Sequence, residues 1–375
     1  MAKLIHLIAA ARPNFMKIAP LYHELIQENW ATTQIIHTGQ HYDPNMSDSF
    51  FSDLQLPAPH IHLGIGGGSH AQQTAKVMMA YETVLLEKKP DMVVVVGDVN
   101  STMACTLAAV KINYDSGRHI QRPVVAHLEA GLRSFDRTMP EEINRIVTDS
   151  LADLLWTPSP DGDENLLREG VAPEKIARVG NIMIDSLERM RAKIEEQDTC
   201  SELGFPKGGF AVVTFHRPGN VDDPEKLKTL CGKLKNIAHR IPLVFPVHPR
   251  TRKNLSTYGL YDELKRTQNI VLSEPLSYVS FMSLVFNCGL AITDSGGIQE
   301  ETTYLGIPCL TMRPNTERPV TITEGTNRLC SIDDLEDKAE EMLGMEVGRH
   351  VAPALWDGHT AGRVVQSIKT NLGPN

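Results

Sequence analysis

The chain has 375 residues, of which 41% are hydrophobic, so it can bury more apolar surface than one domain usually holds. Its formal charge is −9 and its basic residues form no block, which argues against a nucleic-acid partner or a membrane surface. The six cysteines include no C-x-x-C pair, and neither a signal peptide nor a run of membrane-spanning length occurs, so a cytoplasmic protein with small-molecule partners is predicted.

Short apolar runs, separated by segments long enough for helices, fill the first half of the chain. The runs are K-L-I-H-L-I-A-A (3–10), T-Q-I-I-H-T (33–38), D-M-V-V-V-V-G-D (91–98) and P-V-V-A-H-L-E (123–129). Near-continuous β-branched runs of this kind indicate a parallel sheet whose two faces are covered by helices. A doubly wound α/β domain is therefore predicted for residues 1–200.

A charged helical segment at 184–197 ends this pattern, and a second series of apolar runs follows it. These runs are F-A-V-V-T-F-H-R (210–217), P-L-V-F-P-V-H-P-R (242–250), N-I-V-L-S-E-P (269–275), L-A-I-T-D-S-G-G (290–297) and C-L-T-M-R (309–313). They predict a second doubly wound domain over residues 201–358. Two Rossmann-like domains in tandem predict an active-site cleft between them.

Polar side chains follow the predicted strands with unusual regularity. The groups at these positions are Arg12 and Asn14, Thr38 to His41, Gly97 and Asp98, Glu129, His216 and Arg217, His248 and Arg250, and Asp294 to Gly297. Ligands of open parallel sheets bind at the carboxyl ends of the strands. One such strand end alone is more often a turn or a helix cap, but together they predict a single ligand site.

The segment T-D-S-G-G-I-Q-E-E (293–301) lies at the junction of a predicted strand and a predicted helix. Gly296 and Gly297 allow close approach to the backbone, and the N-terminus of the helix attracts an anion such as a phosphate. Ser295 adds a hydroxyl, and Glu300 or Glu301 suits the hydroxyls of a ribose. A helix N-cap with a tight turn explains the same residues equally well.

Cationic side chains that suit a diphosphate occur in both halves of the chain: Arg12, Lys17, Arg313 and Arg318. Ion pairs on a solvated surface are the alternative for each of them. Neither G-x-G-x-x-G nor G-x-x-x-x-G-K-[ST] occurs, and the glycine cluster at 64–69 has the wrong spacing. A dinucleotide cofactor and ATP hydrolysis are therefore disfavoured, and no cofactor is predicted.

Carboxylates and histidines form the remaining group of candidate residues: Asp98, Glu129, Glu141, Glu142, His216 and His248. Beside a bound pyrophosphate they suit general acid–base catalysis, because burial and neighbouring charges separate their pKa values. A divalent metal is the competing use. These carboxylates form no D-x-D pair, and arginines and helix dipoles can neutralise a diphosphate, so no metal is predicted.

Ten motifs follow one another along the chain. They are R-P-N-F-M-K-I-A-P-L, T-G-Q-H-Y-D, V-V-G-D-V-N-S-T, H-L-E-A-G-L-R-S, P-E-E-I-N-R-I-V-T-D, F-H-R-P-G-N, P-V-H-P-R, T-D-S-G-G-I-Q-E-E, T-E-R-P and E-G-T-N. In this order they resemble the non-hydrolysing UDP-N-acetylglucosamine 2-epimerases, and the resemblance covers residues 3–370. The fourth, fifth and eighth motifs are highly specific in combination.

The resemblance implies a glycosyltransferase-B-like fold of two Rossmann-like domains, in which a C-terminal helix, residues 359–375, returns to the first domain. It implies the reversible conversion of UDP-N-acetylglucosamine into UDP-N-acetylmannosamine. The reaction would proceed by anti elimination of UDP and syn re-addition through 2-acetamidoglucal. The expected partners are the UDP-sugar, UDP and a second copy of the chain in a homodimer, and the product would supply surface polysaccharide.

The resemblance also assigns roles to individual residues. The acid–base positions match Asp98, Glu129, Glu141 and His216. The substrate-binding positions match Arg12, Lys17, Arg133, His248, Phe281, Ser295, Gly296, Gly297, Glu301 and Arg318, with Phe281 at the uracil.

The chain departs from the family pattern at three places. Asn14 and Phe15 stand where relatives commonly have Glu and Ala, and the pattern H-R-x-E-N appears as His216-Arg217-Pro218-Gly219-Asn220. In the segment 40–43, Asp43 replaces a glutamine that relatives use to bind a second, activating UDP-N-acetylglucosamine. Activation by substrate is therefore not expected.

Other functions share parts of this pattern. An epimerase of a related UDP-diacetamido sugar would use the same residues, and a hydrolysing epimerase would release UDP and free sugar. A glycosyltransferase of the same fold would need an acceptor groove, for which 6% aromatic residues give little indication. A non-catalytic UDP-sugar sensor would need the phosphate site without the acid–base set.

Overall fold

The computed structural model describes residues 2–39, 53–114, 121–345 and 351–373, and the side chain of Arg12 is outside this description. The chain divides into two compact units. The first comprises Met1–Arg189 together with Ala354–Asn375, and the second comprises Met190–Pro353. Each unit has a parallel sheet of its own.

The first unit is an open parallel sheet with helices between its strands. The strands are β1 (Lys3–Ala9), β2 (Ala31–His37), β3 (Ile61–His62), β4 (Met92–Val96), β5 (Val124–Leu128), β6 (Leu154–Thr157) and β7 (Ile176–Arg178). The helices are α1 (Arg12–Leu25), α2 (His70–Lys88), α3 (Asn100–Lys111), α4 (Pro140–Leu151), α5 (Pro160–Arg168) and α6 (Ile182–Glu196), the last of which continues into the second unit. Within the described residues, the strand order is β3-β2-β1-β4-β5-β6-β7.

The second unit repeats this plan. Its strands are β8 (Ala211–Thr214), β9 (Leu243–Pro246), β10 (Ile270–Ser273), β11 (Leu290–Thr293), β12 (Cys309–Met312) and β13 (Asn327–Cys330). Its helices are α7 (Thr199–Glu202), α8 (Pro218–Val221), α9 (Pro224–Ala238), α10 (Pro249–Thr257), α11 (Tyr261–Lys265), α12 (Tyr278–Asn287), α13 (Gly296–Leu305), α14 (Val320–Thr323) and α15 (Leu335–Leu343). The strand order among the described residues is β10-β9-β8-β11-β12-β13.

The central strands are buried because helices cover both faces of each sheet. Strand β4 reads M-V-V-V-V, and every one of its residues is buried. A continuous apolar run is what a strand needs when neither of its faces meets water. Each unit has a hydrophobic core between its sheet and its helices. Val93, Val95 and Tyr81 belong to the core of the first unit, and Phe215 and Ile292 belong to that of the second unit.

A last helix, α16 (Thr360–Leu372), returns the chain to the first unit. Its first turn is anchored by the buried carboxyl of Asp185, which accepts hydrogen bonds from the backbone N–H groups of Thr360 at 3.1 Å and Ala361 at 2.7 Å. Farther along, Trp156 Nε1 donates to Ser367 Oγ at 2.9 Å. The helix also packs against α1.

In both sheets the strand order turns back at one point, between β1 and β4 and between β8 and β11. This order, with parallel pairing throughout, confirms the prediction of two doubly wound α/β folds. None of the helices in the described residues is long and apolar enough to cross a membrane. The six cysteines are all buried thiols.

Candidate active site

The predicted site residues follow the strands at which each sheet changes direction. In the first unit, α1 follows β1, and Gly97 and Asp98 follow β4. In the second unit, His216 follows β8 and Asp294 follows β11. Doubly wound sheets bind ligands at these switch points, outside the carboxyl ends of the strands. Each unit therefore presents its candidate residues where a ligand is expected.

A buried ion pair lies at the switch point of the first unit. Lys17 of α1 contacts the carboxylate of Glu129, and the two side chains are 9% and 7% exposed. Gly97 lies against this pair with a φ of +64°, and a Cβ there would lie 2.9 Å from Lys17 Nζ. The absence of a side chain at Gly97 thus makes room for the ion pair.

The backbone of Glu129 adopts an unusual conformation. Its φ is +77°, in the left-handed region that non-glycine residues rarely adopt. The N–H groups of Glu129 and Ala130 both donate to the carbonyl of Trp156 at 3.0 Å, which holds the turn in place. A left-handed non-glycine residue costs about 1 to 3 kcal/mol, and such strained residues cluster at active sites. The conformation therefore supports a functional role for Glu129.

Asp98 is held by Arg145, a residue that the sequence analysis did not select. Arg145 Nη2 and Nε lie 2.8 and 3.1 Å from Asp98 Oδ2, and Arg145 Nη1 donates to Glu142 Oε2 at 2.5 Å. Asn144 Nδ2 donates to the carbonyl of Asp98 at 2.8 Å. Helix α4 therefore fixes both the side chain and the backbone of Asp98.

Helix α4 buries its polar side, which is the reverse of an ordinary surface helix. Its buried residues include Glu142, Asn144, Arg145 and Asp149. The carboxylate of Glu142 accepts hydrogen bonds from the backbone N–H groups at positions 134 and 135. Glu141 lies in the first turn of the same helix and is partly exposed. The helix thus brings Glu141 to the edge of a buried charged cluster.

Asn14 explains one of the departures from the family pattern. Its Oδ1 accepts the backbone N–H groups of Ala10 at 3.3 Å and Ala11 at 2.9 Å, and its Nδ2 donates to the carbonyl of Val96 at 3.0 Å. An amide can do both, whereas a carboxylate can only accept. Asn14 therefore ties the start of α1 to the end of β4. The side chain of Arg12 and the segment 40–43 lie outside the described residues.

Arg133, predicted to bind substrate, lies in a buried network of charges. It is 2% exposed, lies 2.7 Å from Asp149 Oδ2 and donates to both oxygens of Glu169 at 2.8 and 2.7 Å. His127 Nδ1 lies 2.6 Å from Asp149 Oδ1. Burial alone would raise the pKa of Asp149, but contact with His127 and Arg133 outweighs burial and lowers this pKa. The substrate contact of Arg133 stays a prediction, while its contacts within the protein are structural.

In the second unit, the carboxylate of Asp294 lies beneath His216. Asp294 is fully buried, and its Oδ1 lies 2.8 Å from His216 Nδ1. The His216 ring is 40% exposed and lies 5.6 Å, centroid to centroid, from the ring of His248. Partial burial, followed by the proximity of His216, lowers the pKa of His248. The two histidines that sequence analysis selected therefore lie side by side.

The predicted anion site is the turn from Ser295 to Gly297, at the N-terminus of α13. Ser295 is the N-cap residue of this helix, with extended backbone. A Cβ on Gly296 would lie 3.0 Å from Arg318 Nη1, whereas one on Gly297 would meet no heavy atom of the described residues within 4 Å. Gly296 therefore permits close packing of Arg318, and Gly297 leaves backbone accessible on the open side.

Two buried arginines share one carboxylate near this turn. Glu317 contacts Arg318 Nη1 at 2.5 Å and Arg313 Nη2 at 2.7 Å, and Arg318 Nε lies 2.9 Å from Glu300 Oε1. Arg313 and Arg318 are 5% and 9% exposed. Both arginines thus form ion pairs, as the alternative interpretation expects, but these pairs are buried and do not lie on a solvated surface. The carboxylates of Glu317 and Glu300 thus balance the charges of the two arginines beside the helix N-terminus.

Glu301 and Phe281 complete the predicted group in this unit. Tyr278 donates a hydrogen bond to Glu301 Oε1 at 2.7 Å, and Glu301 is 4% exposed. Burial, with a smaller contribution from Glu300, raises the pKa of Glu301 to about 7. Phe281 lies in α12 and is partly exposed. Near neutral pH, Glu301 exists in both protonation states, which suits a carboxyl that hydrogen-bonds to hydroxyls.

Replacement of Glu301 by Gln is expected to stabilise the protein at high pH but not at low pH. The folded protein holds a proton on Glu301 up to about pH 7, whereas the unfolded chain loses it near pH 4.5, so stability falls as pH rises through this window. From a shift of this size, the advantage of Glu301→Gln should grow from zero near pH 4 to about 3 kcal/mol at pH 8. Urea unfolding at both pH values measures it.

The exposed Glu324 provides the matched control for this substitution. Glu324→Gln should change the free energy of unfolding by less than about 0.5 kcal/mol at either pH, as surface substitutions usually do. An advantage of Glu301→Gln that is the same at pH 4 and pH 8 would contradict the raised pKa.

Within the described residues, no group of three or more His, Cys, Asp or Glu side chains is arranged to hold a metal ion. At the switch point of the first unit, charged groups are paired with one another. Lys17 pairs with Glu129, and Arg145 pairs with Asp98. The candidate residues of the first unit thus include ion pairs, and those of the second unit include accessible backbone at Gly297.

Comparison with known proteins gives consistent matches along the chain. Residues 23–369 match the family described as UDP-N-acetylglucosamine 2-epimerase. The UDP-N-acetylglucosamine 2-epimerase of Methanocaldococcus jannaschii is 42% identical over 374 residues, covering 97% of this chain and 98% of the relative. The UDP-2,3-diacetamido-2,3-dideoxy-D-glucuronate 2-epimerase of Pseudomonas aeruginosa is 39% identical, covering 91% of this chain and 92% of that protein.

Solved structures agree with these matches. The crystal structure of the Methanocaldococcus jannaschii enzyme in complex with UDP-GlcNAc and UDP superposes with a TM-score of 0.86 at 38% identity, covering 98% of this chain and 99% of that one. The agreement extends over both doubly wound sheets, which are those of the glycosyltransferase-B-like architecture. The chain is therefore a member of the UDP-N-acetylglucosamine 2-epimerase family.

Proposed function

We propose that the protein catalyses the reversible C2 epimerisation of UDP-N-acetylglucosamine to UDP-N-acetylmannosamine without a cofactor. The observation that carries the proposal is the buried pair of Glu129 and Lys17, with Glu129 in a left-handed backbone conformation. Such strain persists only where the surrounding structure enforces it, and it clusters at active sites. A sugar-nucleotide sensor would need the phosphate site of the second unit but no buried carboxylate of this kind.

The chemistry proposed is elimination followed by re-addition. The hydrogen on C2 is not acidified by an adjacent carbonyl, so direct removal of that proton would be slow. When the C1–O bond breaks first, UDP leaves with the electron pair, and positive charge at C1 makes the C2 proton removable. A carboxylate takes the proton, and 2-acetamidoglucal remains. Protonation on the other face and return of UDP to C1 give the epimer.

The two units would divide this work. Asp98, Glu129 and Glu141 of the first unit exchange protons with the substrate, together with His216 of the second unit. The N-terminus of α13 binds the departing diphosphate, because it offers free N–H groups and the positive end of the helix dipole. The other proposed substrate contacts are Arg12, Lys17, Arg133, His248, Ser295, Gly296, Gly297 and Arg318, with Glu301 at the ribose and Phe281 at the uracil.

Deuterium incorporation tests the proposed mechanism. In D₂O, UDP-N-acetylmannosamine formed by the protein should carry deuterium at C2, and recovered UDP-N-acetylglucosamine should gain it too. A proton NMR time course without added cofactor measures both. Long incubation should also release small amounts of UDP and 2-acetamidoglucal, because the site opens between turnovers.

Two results would contradict this mechanism. Product that retains its original C2 hydrogen would exclude exchange of that proton with solvent. Accumulation of UDP in step with free sugar, measured by phosphorus NMR in the same samples, would instead indicate a hydrolysing epimerase. The proposal requires UDP to stay a minor species while the two UDP-sugars approach equilibrium.

A second substrate is favoured by one relative. The Pseudomonas aeruginosa protein is named for a UDP-diacetamido-glucuronate, and it is 39% identical to this chain. The Methanocaldococcus jannaschii relative, at the higher identity of 42%, is named for UDP-N-acetylglucosamine. We therefore put UDP-N-acetylglucosamine first, and parallel assays with the two UDP-sugars decide between them.

The cellular setting is also part of the proposal. The protein is expected to act in the cytoplasm, as a homodimer, and to supply activated N-acetylmannosamine for surface polysaccharide. Light scattering coupled to size exclusion would measure the mass of the particle. A mass equal to the 41.5 kDa of one chain would contradict the dimer.

A further inference from the structure

Asp294 joins three segments of the second unit through one buried carboxylate. It accepts the backbone N–H of His216 at 3.1 Å and that of Arg217 at 2.9 Å, and Asn220 Nδ2 donates to it at 3.0 Å. His216 Nδ1 lies 2.8 Å from Asp294 Oδ1. The next residue in the chain, Ser295, begins the turn proposed for the diphosphate. Asp294 thus links the end of β8, helix α8 and this turn.

The geometry determines which nitrogen of His216 carries the proton in the neutral ring. An ionised carboxylate accepts hydrogen bonds and donates none. Although burial opposes it, contact with His216 lowers the pKa of Asp294, so Asp294 is ionised at neutral pH. The hydrogen bond between the two side chains therefore places the proton on Nδ1. No hydrogen-bond partner of His216 Nε2 is found among the described residues, and the ring is 40% exposed.

We propose that Asp294 is a positioning residue that holds His216 in the Nδ1–H tautomer, so that Nε2 is the atom that exchanges a proton with bound substrate. Two consequences follow from the contacts. The ring cannot rotate without breaking its hydrogen bond to a fully buried group. Because Asp294 directly precedes Ser295 in the chain, its hydrogen bond to the ring also sets the distance between the ring and the Ser295 turn.

The role of Nε2 toward substrate rests on the proposed function. The assignment of the tautomer does not depend on that function. A carboxylate that orients a histidine raises the population of the reactive tautomer, and it stabilises the imidazolium that forms when Nε2 takes a proton. Nearby charged or titratable groups of the same unit are His248, whose ring lies 5.6 Å away, and Arg250, which contacts Asp222. The group in direct contact with His216 Nδ1 is Asp294, at 2.8 Å.

Nitrogen-15 NMR of histidine-labelled protein tests the tautomer without any substrate. Signals of His216 are identified by their loss in His216→Ala. The inference predicts a protonated Nδ1 and an unprotonated Nε2 in the neutral ring. A neutral ring with the proton on Nε2 would overturn it. Because the measurement uses the free protein, its outcome is separate from whether UDP-N-acetylglucosamine is the substrate.

A double-mutant cycle tests whether Asp294 acts through His216. Asp294→Asn places an amide N–H₂ beside Nδ1 and should lower kcat by about 10² or more, the scale of a misplaced acid or base. In the His216→Ala background the same substitution should lower kcat by no more than about threefold, since residues that act as a unit are not additive. Equal losses in both backgrounds would overturn the inference.

Asn220→Ala is the matched control for this cycle. It removes one donor to Asp294 and the bond from Asn220 Nδ2 to the carbonyl of Met312, but it leaves His216 in contact with the carboxylate. A kcat within about tenfold of the wild type is expected, with the His216 tautomer unchanged. If Asp294→Asn does not fold, the NMR measurement on the wild-type protein still decides the proposal.

Discussion

Replacing Arg145 with methionine is expected to lower the free energy of unfolding by about 3 to 5 kcal/mol, the cost of removing one partner from a buried ion pair. The Arg145 side chain is 3% exposed, and its partner Glu142 is 1% exposed. Without Arg145, Glu142 would keep its backbone donors from Ser134 and Phe135 but would lose its counter-charge. Urea unfolding measures the loss.

Arg122→Met provides the control for this prediction. Arg122 forms a bidentate ion pair with Asp153, at 2.7 and 2.8 Å. Here the side chain of Arg122 is 37% exposed and that of Asp153 is 28% exposed. A pair that water screens contributes about 1 kcal/mol or less. Arg145→Met should therefore lower the free energy of unfolding several-fold more than Arg122→Met does. Equal losses would mean that burial of the Arg145 cluster does not determine its contribution.

His216→Ala is expected to lower kcat by roughly 10² or more, the usual contribution of a positioned acid or base. Its effect on stability should be small, because the ring is 40% exposed and the buried Asp294 keeps the N–H groups of His216 and Arg217 as donors. Initial rates of UDP-sugar interconversion and urea unfolding, measured on the same preparation, separate the two effects.

His239→Ala is the matched control, since His239 is an exposed residue just after α9. This variant should keep both kcat and stability. A His216→Ala protein that converts UDP-N-acetylglucosamine at the rate of His239→Ala would remove His216 from the mechanism. A large loss of stability in His216→Ala would instead show that the ring supports the fold.

The strands and their ends were predictable because their signals are local. A run such as M-V-V-V-V identifies a strand with both faces buried, and the rule for parallel sheets then places Gly97 and Asp98 at a ligand-binding edge. The same reasoning correctly placed His216 and Asp294 after strands β8 and β11. These predictions need only the neighbours in sequence and the direction of the strand.

The partners of these residues were not predictable, because they lie far away along the chain. Lys17 and Glu129 are 112 residues apart, and Arg145 and Asp98 are 47 apart. Spacing carries no information about such pairs. The one available signal was the pattern P-E-E-I-N-R, in which Glu142 and Arg145 lie one helical turn apart and so can pair on one face.

The noncontiguous makeup of the first unit has a consequence for biosynthesis. Its final helix, α16, follows the whole second unit in the chain, yet the buried Asp185 binds the first turn of that helix. The ribosome therefore synthesises the whole second unit before α16 is available to pack on the first unit. Until then, Trp156 lacks the hydroxyl of Ser367, and the surface of α1 that receives α16 is uncovered. The first unit is thus the first to begin synthesis and the last to acquire all of its elements.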